Sequence, residues 1–223
     1  MAQKEIAPEV EVREQLTGTE SFVDRYKAIL IYGSIGIVVA LLGYIGYQKF
    51  VVEPNNIESQ NEYWNAFYDW QNNDSTDRAV TGTNEYLGFE DLSSQYAGTG
   101  GGNIATYGLA TMAMEDKDYD GALGYLEECE FEDVMLGTIV IGLKGDCYVE
   151  KGEFETALTF FLQASERQPN DFTSALYLKK AGLVYEKLEQ RDKAVEVYQK
   201  IKDTYFRSTE AQDIDKYIIR AQN

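Results

Sequence analysis

The stretch IVIGLKGDCYVEKGEFETALTFFLQASERQP, Ile139–Pro169, decides the fold. Apolar residues recur at helical spacing on both sides of a polar turn, EKGEFET, so the segment reads as two helices closed into a hairpin. The same grammar precedes it in IATYGLATMAMEDKDYDGALGYLEEC (Ile104–Cys129) and follows it in SALYLKKAGLVYEKLEQRDKAVEVYQKI (Ser174–Ile201). Aligned on the alanine after each turn, Ala122, Ala157 and Ala194 fall 35 and 37 residues apart. Ala110, Gly145 and Gly182 lie near the middle of each first helix, and Tyr148 and Tyr185 follow the two glycines by three positions. A small residue there lets the two helices approach, while a large one fills the groove beside it. No single hairpin can bury its own apolar face, so neighbouring copies must stack.

Working outward, Glu58–Asn72 and Asn84–Tyr96 are apolar at helical spacing through Tyr63, Ala66, Phe67 and Trp70, then Tyr86, Leu87 and Leu92. They read as a degenerate first hairpin joined by a polar connection over 73–83. Ser208 and Thr209 precede a last amphipathic helix with Ala211, Ile214, Tyr217, Ile218 and Ala221, which supplies the end-cap that a solenoid needs. About nine helices are expected after residue 52. The run GTGGGN (98–103) lacks both a preceding strand and a following Gly-Lys-Ser/Thr, so it reads as a flexible connection and not as a phosphate cradle. The acidic cluster Glu127, Glu128, Glu130, Glu132 and Asp133 reads as a solvated helix end and loop.

Further upstream, Ala28 to Gln48 (AILIYGSIGIVVALLGYIGYQ) is uncharged over 21 positions. As a helix it would measure about 31 Å, close to a hydrocarbon core of roughly 30 Å. Lys4, Arg13, Arg25 and Lys27 precede it, whereas Lys49 stands alone after it until Arg78. The positive-inside rule therefore keeps the N-terminus cytoplasmic and exports the rest. The run is too long for the apolar region of a cleaved signal peptide and lacks the small-residue cleavage pattern, so it reads as an uncleaved signal anchor. The expected organisation is a disordered cytoplasmic arm (1–19), an interfacial turn with Thr19 as a helix cap followed by the span (20–52), and an exported repeat domain (53–223). Gly36, Ala40 and Gly43 share one face of the span. Glycine is common in membrane helices, and small residues at this spacing also form contact faces between them.

The formal net charge is −18, of which −17 falls after residue 49. Such a surface repels phosphate backbones, so nucleic-acid binding is disfavoured. Histidine is absent, which excludes His-based triads, metal ligands and acid–base catalysis from this chain. With no nucleophile motif and no metal-ligand spacing, neither an enzyme nor a metal or cofactor site is expected. Cys129 and Cys147 read as buried thiols on packed helices, with pairing in an oxidising compartment left open.

The three hairpins resemble the tetratricopeptide repeat. The second and third carry its glycine, the tyrosine three later and the alanine opening the second helix, and the second ends on Pro169. The first departs from the pattern with Ala110 and Ala113, and the third has Phe206 where proline would fall. The resemblance implies an all-α solenoid whose first helices line a groove, here through Tyr107, Thr111, Met114, Asp146, Val149, Lys179, Leu183 and Glu186. Those residues lack the Lys, Asn and Arg pattern that grips a C-terminal carboxylate, so an extended or helical polypeptide is the expected ligand. The whole organisation is similar to the YfgM-type ancillary subunit of the Sec translocon. YLGFEDLSSQYAGTGGGNIATYGLA and YLKKAGLVYEKLEQRDKAVEVYQKIKDTYFRS look like versions of it from Bacteroidetes-type bacteria. That likeness implies an inner-membrane adaptor beside a SecYEG-type channel, working with periplasmic chaperones or foldases on emerging chains. The alternative use of the same architecture is a scaffold for cell-envelope or division machinery.

Overall fold

The computed structural model describes residues 8–72 and 76–223, with side chains for 25–72 and 77–223. It is all-α and divides into two compact units, Met1–Pro54 and Asn55–Asn223.

In the first unit, α1 spans Pro8–Tyr47 and passes into a π-helical segment, Gln48–Val52. The Glu53 amide closes that segment by donating to the Gln48 carbonyl five residues back. The apolar run within α1 is long enough to cross a membrane, and none of it is buried inside the protein. Two expectations are corrected here. Residues 8–19, expected to be disordered, are helical, and Thr19 lies inside α1 and not at its start; residues 1–7 fall outside the described part. The reason is cooperative: once a long helix is nucleated, residues such as Glu9, Arg13, Glu14 and Leu16 extend it at little cost.

The second unit is a row of helices that, from α4 onward, pack each on its predecessor. Following α2 (Glu53–Gln71), α3 (Thr76–Thr81) and α4 (Phe89–Gln95) come three hairpins. They are α5 (Gly100–Glu115) with α6 (Tyr119–Glu128), α7 (Val134–Glu150) with α8 (Phe154–Arg167), and α9 (Thr173–Lys187) with α10 (Arg191–Thr204). A 3₁₀ turn, Glu210–Asp213, leads into the capping helix α11 (Ile214–Gln222). The core is segmented accordingly. Ala66, Phe89, Leu92 and Leu109 centre one cluster; Ala110, Ala122, Leu126 and Cys147 a second. Ala157, Phe161, Tyr177 and Ala181 form a third; Leu178, Tyr198, Ile201, Ile214 and Ile218 the last. Each cluster is confined to one hairpin and its immediate neighbours along the row, as a quasi-one-dimensional stack requires.

The turns confirm a common register for all three hairpins. Lys117, Gly152 and Glu189 each adopt positive φ (64°, 79° and 58°), five residues before Ala122, Ala157 and Ala194. Each turn closes with the same pair of backbone bonds. The second of the pair runs Asp118 N–H to Ala113 O, Glu153 N–H to Tyr148 O and Gln190 N–H to Tyr185 O, each at 2.8 Å. This is the Schellman closure of a helix C-terminus. The first copy, divergent in side chains, is thus the same turn in backbone.

The small residues of the first helices have the expected steric role. A Cβ on Gly145 would lie 2.6 Å from the Phe161 ring of its own hairpin. On Gly182 it would overlap the Tyr198 ring, and on Gly142 the Tyr177 ring of the following repeat. Phe161 and Tyr198 are fully buried, worth roughly 2–3 kcal/mol each at ordinary apolar transfer values.

Upstream of residue 104 three expectations are corrected. The polar connection contains α3, held by the buried Ala79, so ten α-helices follow residue 52 among the described residues and not about nine. Residues 84–88 are not helical; the Tyr86 hydroxyl instead donates to Asp69, and the helix begins after Gly88. The GTGGGN run is not a free connection, because α5 starts at Gly100 with Thr99 Oγ1 accepting the Gly102 N–H at 3.1 Å. Glycine is needed because a Cβ on Gly101 would lie 2.5 Å from the Ser59 backbone, and one on Gly102 would overlap the Tyr96 carbonyl.

Candidate interaction groove

The predicted groove positions all fall on the first helices α5, α7 and α9, but the structure treats them differently. On α5, Tyr107 is half-buried with its ring edge-on to Phe131 at 6.4 Å between centroids. Thr111 donates to the Gly108 carbonyl at 2.8 Å, and Met114 is partly buried against the second core cluster. On α7, Val149 packs partly on the third cluster, while Asp146 accepts two bonds from Lys180 Nζ of α9, both at 2.7 Å. Burial raises the Asp146 carboxyl pKa, and the Lys180 ammonium opposes that shift. On α9, Lys179 Nζ lies 3.2 Å from Asp213 and 4.6 Å from the Tyr217 ring centroid. Glu186 accepts from Tyr198 Oη at 2.6 Å and from Arg220 at 2.7 and 2.8 Å. Burial pushes the Glu186 pKa up, but Arg220 and Tyr198 outweigh it and hold the carboxylate below its ordinary range. Leu183 is exposed.

Three of the eight residues are therefore engaged within the chain by neighbours that sequence reasoning passed over: Lys180, Asp213 and Arg220. A signal for them exists. Asp146–Lys180, Lys179–Asp213 and Glu186–Arg220 are each separated by 34 residues, about one repeat. The cap stands where the first helix of a fourth repeat would: Asp213 of the 3₁₀ turn and Arg220 of α11 pair with α9 as Lys180 of α9 pairs with Asp146 of α7. Lys179 and Glu186 are consequently neutralised within the chain, whereas Leu183 is an exposed apolar side chain between them.

Other features are now assigned. Asp133 of the acidic cluster caps α7, accepting the Met135 and Leu136 N–H groups at 2.7 and 2.9 Å, which holds its pKa down. Arg167 fastens the same loop from α8 by donating to the Asp133 and Phe131 carbonyls, each at 3.0 Å. Cys129 and Cys147 are free thiols, and burial pushes each up to about 11. A cavity of about 320 Å³ over Leu162, Leu178, Tyr185 and Val197 contains none of the predicted residues. On α1, Gly36, Ala40 and Gly43 are exposed, and a Cβ on either glycine would meet nothing within 4 Å.

Comparison with known families gives two matches, each described as a tetratricopeptide repeat, over residues 140–171 and 178–205. A comparison with curated proteins gives no match. The matched segments coincide with α7–α8 and α9–α10, and α5–α6 repeats their turn geometry. Residues 140–171 and 178–205 match the tetratricopeptide repeat, and these hairpins, with α5–α6 of the same turn geometry, form a helical repeat stack of the kind that supports protein–protein interaction.

Proposed function

We propose that this chain is a single-pass inner-membrane adaptor. Its apolar helix anchors it with the N-terminus cytoplasmic, and its repeats work in the periplasm. In this reading the domains are an arm (1–19), an anchor (20–52) and an exported repeat domain (53–223). The groove of Tyr107, Thr111, Met114, Asp146, Val149, Lys179, Leu183 and Glu186 takes an extended or helical polypeptide. The finer assignment is an ancillary subunit of a SecYEG-type translocon that recruits a periplasmic chaperone or foldase to emerging chains. Gly36, Ala40 and Gly43 would be the contact face of the anchor.

The observation that carries the adaptor reading is the stack of three in-register hairpins downstream of an apolar helix buried against nothing in the protein. Repeats of this kind serve as binding platforms for protein partners. The translocon assignment rests on the resemblance in sequence organisation. The test is purification of the full chain from membranes in mild detergent, with identification of what accompanies it. Channel subunits together with a periplasmic foldase support the assignment; cell-envelope or division proteins would favour the scaffold reading. Leu183→Asp should deplete the groove's partner while leaving the circular dichroism unchanged. Undiminished recovery from that folded variant would remove Leu183 from the binding surface. Gly36→Leu with Gly43→Leu should deplete a partner held through the anchor.

A further inference from the structure

The cap extends the row of first helices by one more seam. Lys179, Leu183 and Glu186 of α9, and Asp213, Tyr217 and Arg220 of the cap, share the same i, i+4, i+7 spacing, which puts each set on one helix face. Lys179–Asp213 and Glu186–Arg220 close the two ends of the seam. Between them lie Leu183, 41% exposed, and the half-buried Tyr217.

The charge at this seam is fixed by contact. Three cations surround the Tyr217 ring: Lys179 Nζ lies 4.6 Å from its centroid, the Arg220 guanidinium carbon 4.8 Å and Lys216 Nζ 5.1 Å. Two carboxylates answer them. Asp213 is shared by Lys179 and Lys216, and Glu186 is held by Arg220 through Nε and Nη2. Asp215, the one carboxylate within α11, is drawn off to Lys202. The cations are also the outer charges: the side chains of Lys216 and Arg220 are 63% and 53% exposed, that of Glu186 only 19%. Arg220 Nη1 has no hydrogen-bond partner among the described residues. Asp213 raises the Lys216 pKa and Arg220 opposes it, as two like charges held close must. In the seam between α7 and α9, by contrast, Asp146 and Lys180 pair one to one.

A cation in excess beside an exposed apolar side chain suits an anion with an apolar neighbour. A phosphate polymer would meet the chain's net charge of −18 along its length. A single carboxylate meets only the seam, because exposed charges beyond about 8 Å are screened at physiological salt. We propose that the seam between α9 and the cap is the acidic-residue subsite of the groove, where a bound polypeptide sets an Asp or Glu carboxylate between Lys216 and Arg220 and an apolar neighbour on Leu183. Four residues apart on one helix, the two cations stand about 5–6 Å from each other at Cβ, within reach of one carboxylate. The subsite rests on the reading of the groove as a polypeptide site and adds the chemistry that this site selects.

The test uses the full chain in zwitterionic nanodiscs at physiological salt. The probe is a fluorescent, end-blocked peptide of about twelve residues with two Leu–Glu pairs among serine and glycine, and its counterpart has Leu–Gln pairs. Binding is read by anisotropy against empty nanodiscs. The glutamate peptide should bind about tenfold more tightly than the glutamine peptide, as a carboxylate bonded to two cations does. Lys216→Glu, which leaves the Arg220–Glu186 pair in place, should remove that preference, whereas Lys216→Arg should keep it. Lys216→Gln should act in the same direction and carries the test if the reversal unsettles the cap. Lys200→Glu, an equal change of charge on α10, should leave the preference intact. Equal affinity for the two peptides, or an equal loss in the Lys200→Glu protein, would mean undirected charge and would overturn the subsite. If the glutamine peptide still binds and Leu183→Asp releases it, the groove stands and only the subsite falls. If neither peptide binds, both fall.

Discussion

Gly145→Ala measures how closely the second hairpin is packed. The added Cβ would sit 2.6, 2.7 and 3.2 Å from three atoms of the Phe161 ring, where ordinary contact needs 3.4 Å or more. The ring cannot retreat freely, because it is 1% exposed and stacked on Tyr177 at 6.3 Å. Overpacking of this kind costs about 3 kcal/mol at the upper end of the usual range, and the better helix propensity of alanine returns about 1, a net loss of about 2. Gly124 on α6 supplies the matched control, since a Cβ there meets nothing within 4 Å. Gly124→Ala should therefore stabilise by about 1 kcal/mol, a gap of about 3 between the two variants. For a unit of this size that corresponds to roughly 6–12 °C in melting temperature. The assay is thermal melting of the full chain in detergent, followed by the near-ultraviolet circular dichroism of its buried tyrosines. Phe161→Leu in the Gly145→Ala background should recover part of the loss, giving a non-additive pair. A Gly145→Ala protein that melts at or above the wild type would refute the close approach of α7 and α8.

Four further outcomes follow from the same geometry. Lys117→Gly and Glu189→Gly should each stabilise by about 0.5–1 kcal/mol, because their positive φ suits glycine, while Gly152→Ala should cost about 1; urea midpoints decide it. Glu186 has a depressed pKa, so the stability it lends is present above the ordinary glutamate range and is lost as pH falls through the lower folded value. Amide exchange in α11 should accelerate over that acid window, and Arg220→Ala should accelerate it at neutral pH. Asp133→Ala should lower the melting temperature and fray the start of α7, with Asp133→Asn, itself a good cap, recovering most of the loss. The two thiols, pushed up to about 11, should resist alkylation at pH 8 until denaturant is added, as mass spectrometry would show; ready modification of native Cys147 would contradict its burial.

How much could be read in advance divides at residue 104. Downstream, the hairpins follow from local pattern: helical periodicity, a turn closed by backbone bonds, and a small residue facing a ring. These relations lie within one repeat length, so the linear chain displays them. Upstream the pattern misleads. The apolar spacing in 84–88 belongs to a loop tied down through Tyr86 and Asp69, and three consecutive glycines belong to a helix. Glycine usually marks a turn because its backbone is free. Here it marks the place where α5 meets the backbones of Ser59 and Tyr96, and nothing local announces that meeting. The groove divides in the same way. Repeat register placed the eight expected residues on the first helices, whereas the pairing of Asp146, Lys179 and Glu186 with Lys180, Asp213 and Arg220 was not legible from it.

By itself, the sequence determined the all-α class, the register of Ala122, Ala157 and Ala194, and the presence of one helix apolar enough to span a membrane. Periodicity and composition carry these, and both survive projection onto a line. Only the tertiary structure decided which of those helices' residues are exposed and which are paired within the chain. Whether a side chain is open like Leu183 and Trp64, or neutralised like Glu186, depends on what the next repeat or the cap brings against it. That partner lies about 34 residues away in the chain but within 3 Å in space.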